Sequence, residues 1–195
     1  FDATANGHNA TLSGGYLLGA QSMTPGLGTA VQFTGGGATF AASADMRGNG
    51  DYAVEFVAKF TNPGNTFGVV FSPASVNRAP NIFANYPRAG SLVFRDDLSD
   101  NSLEYVNALD GVYRVWTYVR RGDNLELWVD GALYRSITQP VGAPDPVAAY
   151  SLMSSVLCTL DEFSFYGHAL SPERIQVHAA RARALKKLAG QAKLD

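Results

Sequence analysis

A single cysteine, Cys158, stands in a chain of 195 residues, which excludes an internal disulfide framework. Its neighbours Leu157, Thr159 and Leu160 supply no base, so it reads as a small core residue rather than a nucleophile. Charge is scarce as well. Only 16% of residues are charged, against 46% hydrophobic and 11% aromatic, and that combination excludes a disordered chain. No run of about 18 apolar residues occurs, so no helical membrane span is expected. The net charge of -2 gives no whole-chain case for nucleic acid. Cys-x-x-Cys and His-x-x-x-His spacings are missing, which argues against zinc, and no Gly-x-x-x-x-Gly-Lys segment offers a phosphate cradle. The chain opens at Phe1 without a basic stretch leading into an apolar one, an absence that says little about its compartment.

What the chain has instead is turn chemistry and alternation. Its 20 glycines and 9 prolines punctuate short apolar segments. Residues 52–60 alternate cleanly, with Tyr52, Val54, Phe56, Ala58 and Phe60 on one face and Glu55 and Lys59 on the other. A strand is predicted over 66–71 after the Asn62-Pro63-Gly64-Asn65 turn. Residues 113–121 and 124–129 read as a hairpin closed at Gly122-Asp123, and Asp130-Gly131 leads into a further strand at 132–138. Over 160–166, Leu160, Phe163 and Phe165 are the expected core members, while 73–90 is predicted to be long loops around one short strand. Many short strands without intervening helices predict an all-β sandwich. The end differs. Ser171 suits an N-cap and Pro172 the first helical position, and a helix over about 172–189 presents Ile175, Ala179, Ala182, Leu185 and Ala189 on one stripe.

Three segments in order carry a family resemblance. The opening Asp2-Ala-Thr-Ala-Asn-Gly-His-Asn-Ala-Thr11 is one. The second is the hairpin Trp116-Thr-Tyr-Val-Arg-Arg-Gly-Asp-Asn-Leu-Glu-Leu-Trp-Val-Asp-Gly131, and the third is Leu160-Asp-Glu-Phe-Ser-Phe-Tyr-Gly-His-Ala-Leu-Ser-Pro-Glu-Arg-Ile175. Together they resemble the laminin-G-like family of the concanavalin A-like lectin/glucanase superfamily. The resemblance implies a two-sheet antiparallel jelly roll over residues 1–170, followed by a basic C-terminal α-helix and tail over 171–195. It further implies a non-catalytic binding or structural module, attached by protein–protein or glycan contacts to the exterior of something larger. A phage virion or a bacterial surface protein would be such a setting, with an extracellular or virion-surface location. The competing expectation is a glycan-cleaving enzyme on the same jelly roll, because one fold hosts both.

The residues sort between these readings. Glucanases of this fold carry alternating carboxylates on one strand, and this chain has no such triplet. Its nearest substitute is Glu55, Glu126 and Glu162, on the non-core parity of three strands, which converge only if those strands are neighbours. For ligand contact, Trp128 shares the parity of Glu126 and is expected on the outward face. Tyr118 and Tyr166 are expected beside it, and Asn77, Arg78, Asn81, Asn85, Tyr86 and Arg88 crowd one loop region. Outward aromatics beside planar polar groups suit a sugar face or a protein interface. Calcium is the one cofactor considered: Asp2, Asn6 and Asp161 lie in segments that family members bring together, and Asp96, Asp97, Asp100 and Asn101 form a second acidic loop. Residues 171–195 hold six basic side chains against Glu173 and Asp195, net +4, which leaves the preceding 170 residues at -6 of the total of -2. The helix is therefore expected to mediate assembly rather than folding of the sandwich, with Arg181, Arg183, Lys186 and Lys187 docking onto the acidic body of a neighbouring subunit, the alternative being the acidic body of the same domain.

Overall fold

A computed structural model describes residues 9–23, 28–42, 50–61, 66–73, 80–96, 102–138 and 147–191, with side chains described as far as residue 184. Among these residues fourteen strands and one helix follow in chain order: β1 (Thr11–Ser13), β2 (Tyr16–Gln21), β3 (Thr29–Thr34), β4 (Gly37–Ala41), β5 (Tyr52–Phe60), β6 (Gly68–Pro73), β7 (Asn81–Ala84), β8 (Leu92–Arg95), β9 (Leu103–Tyr105), β10 (Arg114–Arg121), β11 (Asn124–Val129), β12 (Ala132–Thr138), β13 (Ala149–Ser154), β14 (Leu157–Tyr166) and α1 (Pro172–Gln191). The expected hairpins are present, with β10, β11 and β12 joined at Gly122-Asp123 and Asp130-Gly131.

Pairing is antiparallel throughout, in two seven-stranded sheets of order β1-β4-β13-β6-β7-β8-β9 and β12-β11-β10-β5-β14-β3-β2. This is the predicted two-sheet jelly-roll sandwich. The core lies between the sheets and is built from the alternating set. Val54, Phe56, Ala58 and Phe60 of β5 face Phe71, Ile82, Phe94 and Leu152 of the other sheet, and all are 5% exposed or less. Trp116 stacks on Phe56 and Phe94 at ring separations of 6.3 and 6.1 Å. Cys158 is buried in that core, and burial pushes its thiol pKa far up, as expected of an inert structural cysteine.

Two features went beyond the alternation rule. In β14 the register slips between Leu160 and Glu162, so Asp161 is an extra residue. That bulge lets Leu160, Phe163 and Phe165 share the core face although they are three and two apart. The second feature is a third layer. Helix α1, capped where Arg174 N–H reaches Ser171 Oγ at 3.3 Å, lies across the outer face of the second sheet. Ile175 packs on Ala53, Val119 and Trp128, while Ala179 packs on Val57, Val115 and Met23. Strand β5 is thus covered on both faces.

Candidate functional site

The six residues expected at a ligand surface separate into three places. Tyr118 is corrected outright: it shares the parity of Trp116, stands opposite Val54, and is fully buried between the sheets. Trp128 does lie on the outer face, but Ile175 and Leu170 cover it, so it is 7% exposed and not available to a ligand. Its indole N–H donates to Glu126 Oε2 at 2.9 Å, and Arg121 holds the other Glu126 oxygen at 3.2 Å. Glu126 is therefore fixed by the fold. Tyr166 flanks the same cluster, half-buried.

Tyr86 and Arg88 sit elsewhere, on the outer face of the first sheet, and they bring an aromatic group with them. The turn joining β7 to β8 begins at Asn85, which adopts a positive φ of 56° that asparagine tolerates. Its side-chain amide donates to the Thr66 carbonyl at 2.8 Å and its Oδ1 accepts from Gly90 N–H at 2.8 Å. One residue thus ties the turn to the chain entering β6. The Tyr86–Pro87 peptide in this turn is cis. Phe67, beside Thr66, meets Phe83 at 5.3 Å between ring centroids. Tyr86 stands nearly perpendicular to both, at 86° to Phe67 and 71° to Phe83. Phe67 and Tyr86 remain 48% and 39% exposed. The guanidinium of Arg95 lies 4.9 Å from the Phe83 ring centroid and 5.3 Å from that of Tyr86. Arg88 Nε approaches Glu104 Oε1 at 3.5 Å, and the Ser91 hydroxyl donates to the same oxygen at 2.7 Å. Phe67, Phe83 and Arg95 were not picked from the sequence. The Thr66-Phe67 segment read as a strand start, and only its tie to Asn85 moves Phe67 beside Tyr86. Asn81, expected in the same group, is buried on β7, where its Oδ1 accepts from Ser72 Oγ. Asn77 and Arg78 lie outside the described residues.

The carboxylates behave differently. Strand order places Glu55 on β5 next to Glu162 on β14, with Glu126 two strands away from Glu55 on β11. Glu55 and Glu162 line a half-open cavity of about 240 Å³ between the sheet and α1, together with Ser164, Val57, Val115, His178 and Ala182. Glu55 is already engaged: Oε1 lies 2.8 Å from His178 Nδ1, and Oε2 accepts from Thr117 Oγ1 at 3.0 Å. Partial desolvation, and then the neighbouring Asp161 charge, push the Glu162 carboxyl above its ordinary pKa. Two of the three expected carboxylates converge; Glu126 does not.

Of the calcium candidates, Asp2 and Asn6 lie outside the described residues, as do Asp97, Asp100 and Asn101. Asp161 Oδ2 accepts from Ser22 Oγ and Met23 N–H, both at 2.8 Å, and so anchors the 22–23 segment to β14. Asp96 is not on a solvated loop. It is 2% exposed, with Oδ1 accepting from Tyr52 O–H at 2.6 Å and Oδ2 paired to Arg120 at 3.1 Å. Among the described residues no group of three His, Cys, Asp or Glu is placed to hold a metal ion. On α1, Arg181 is exposed, while Arg183 turns back to the Asp130 carbonyl and lies 3.6 Å from the Asp130 carboxylate of its own domain. The side chains of Lys186 and Lys187 lie outside the described residues.

No protein-family model matches the chain, and no curated protein matches it by sequence. Solved structures do match. The binding domain of botulinum neurotoxin DC, in complex with rat synaptotagmin II, superposes with a TM-score of 0.73 at 11% identity, over 93% of this chain and 48% of that one. The same domain in complex with SialylT gives the same values, and the botulinum neurotoxin serotype D binding domain gives 0.67 at 12%, over 91% and 48%. The likeness is one of fold. This chain spans about half the length of those solved domains, and the shared part is the jelly roll.

Proposed function

We propose that this chain is a non-catalytic binding module that meets its ligand on the outer face of the first sheet, at Phe67, Tyr86, Arg88 and Arg95. One observation carries the reading: two large rings stay half-exposed although hydrogen bonds from Asn85 hold the turn that presents them. Exposed aromatic surface held rigid is what a binding site needs, because little ordering entropy is lost on association. The jelly roll shared with toxin binding domains that engage a protein and SialylT, and the laminin-G-like motifs of the sequence, support the same reading. Its setting in this proposal is the exterior of a larger extracellular or virion assembly. The cavity at Glu55 and Glu162 favours the second reading, a glycan-cleaving enzyme, but Glu55 is committed to His178 and Thr117.

The test is binding by the whole chain to a glycan array and to a displayed library of random 12-residue peptides, beside the double variant Phe67→Ala/Tyr86→Ala. Saturable binding to either collection that the double variant loses, with an unchanged thermal melt, supports the module. Polysaccharide turnover that disappears in Glu162→Gln or Glu55→Gln, with no binding that depends on Phe67 and Tyr86, replaces it with the enzyme.

A further inference from the structure

The aromatic surface has an unusual charge arrangement. Glu104, its carboxylate, is already taken by Arg88 and by the Ser91 hydroxyl. Among the described residues Arg95 has no such partner. Its Nε is buried and finds no hydrogen-bond acceptor among the described residues, and no carboxylate pairs with it there. What holds the guanidinium is the pair of rings, Phe83 and Tyr86, on whose faces it rests. Rings favour a cation but accept no hydrogen bond in the plane of the guanidinium, so no described residue matches its planar donor fork. A carboxylate matches that fork in two parallel bonds.

Ring geometry selects the rest of the ligand. A sugar ring stacks flat on an open aromatic platform, and here the exposed rings do not form one. Tyr86 is nearly perpendicular to Phe67 and to Phe83, so the three rings make a corner with two walls. A corner takes a compact apolar side chain on two sides at once, and tyrosine beside arginine is the composition that dominates protein interfaces. We infer that this corner docks an acidic peptide segment of a partner protein, an apolar side chain filling the angle between Phe67 and Tyr86 and an adjacent Asp or Glu carboxylate meeting Arg95. The inference rests on the binding-module reading and names its occupant.

The experiment is selection of the displayed 12-residue library on the whole chain, with counter-selection on Arg95→Gln. Enriched peptides are expected to carry Asp or Glu within three positions of Leu, Ile, Phe or Tyr. A synthetic copy of the best binder should lose at least tenfold in affinity when its acidic residue becomes the amide. That difference should vanish on Arg95→Gln and persist in part on Arg95→Lys, while Tyr86→Ala should abolish binding, all with unshifted melts. Enriched peptides lacking acidic residues, an amide copy that binds equally well, or peptides indifferent to Tyr86→Ala each overturn the inference. If no peptide is enriched while the glycan array reveals ligands that need Phe67 and Tyr86, the occupant is a saccharide: the inference falls and the binding module stands. If neither collection yields a ligand that needs Phe67 and Tyr86, both fall.

Discussion

At the scale of single residues, alternation decides which side of a strand a residue takes, but not what lies on that side. Trp128 lies on the outer face that its parity predicts, and it is buried because a helix from elsewhere in the chain covers it. Tyr118 follows the parity of Trp116 into the core, so reading that strand consistently would have excluded it from the surface. The Asp96–Arg120–Tyr52 cluster was beyond local reading, since its members are far apart in sequence and meet only through sheet stacking. Asp110 offers a residue-scale test of charge. Arg114 grips both its oxygens, at 2.7 and 2.6 Å, and that contact outweighs partial burial to hold its pKa at about 2. A depressed pKa means that the unfolded chain takes up the proton first on acidification. The stabilisation is present above about pH 4 and is lost as pH falls toward 2. Because the Asp110 side chain is 38% exposed, its worth is under about 1 kcal/mol. Asp110→Asn should lower the urea midpoint slightly at pH 7 and leave it unchanged at pH 2, a convergence that chemical denaturation at both pH values checks.

At the scale of elements, the sequence was most legible where turn chemistry and periodicity agreed. The hairpins β10–β11 and β11–β12 and strand β5 fall at their predicted places because Gly122-Asp123, Asp130-Gly131 and nine alternating residues leave little choice. Strands β7, β8 and β9 are three or four residues each, too short for a period to show. Their aromatic corner is accordingly visible in the sequence only as a crowd of polar loop residues around Tyr86. The Asp130-Gly131 turn has a second role that no local rule reveals. Gly131 has φ +81°, and a Cβ built there would come 2.9 Å from the Ala179 Cβ on α1. The turn that closes the hairpin also lies against the helix, so a methyl group strains both. Gly131→Ala should cost about 1–3 kcal/mol through backbone strain alone, with further loss as α1 shifts outward. The check is a thermal melt beside Ala179→Gly. If displacement of the helix contributes, the double variant Gly131→Ala/Ala179→Gly should be less damaged than the two single effects predict.

At the scale of the whole molecule, the charge split and the third layer pull the helix toward two explanations. Its basic excess of +4 against a body of -6 suggests docking onto acidic surface, and Arg183 does reach Asp130 of its own domain. Calcium is a whole-molecule question too, because Asp161 ties residues 22 and 23 to β14. Melts in millimolar calcium and in chelator should agree within a few degrees, since Asp161 already accepts two hydrogen bonds from residues 22 and 23. The helix matters more, and truncation separates its two halves. Ending the chain after Ile175 keeps the contact with Trp128 and removes Ala179 and Ala182, which uncovers Met23, Val57 and Val115 on the outer sheet face. Exposing those three side chains loses apolar burial, so Tm should fall by several degrees. Ending it after Ala184 keeps Ile175, Ala179, Ala182 and the Arg183–Asp130 contact, so the melt should stay within about 2 °C of the full chain. Equal melts for the full chain and the truncation at Ile175 would show that the sandwich does not use this cover. The residues after Ile175 would then serve attachment to a neighbour, and salt-sensitive loss of assembly in the shorter chain would be the sign of it.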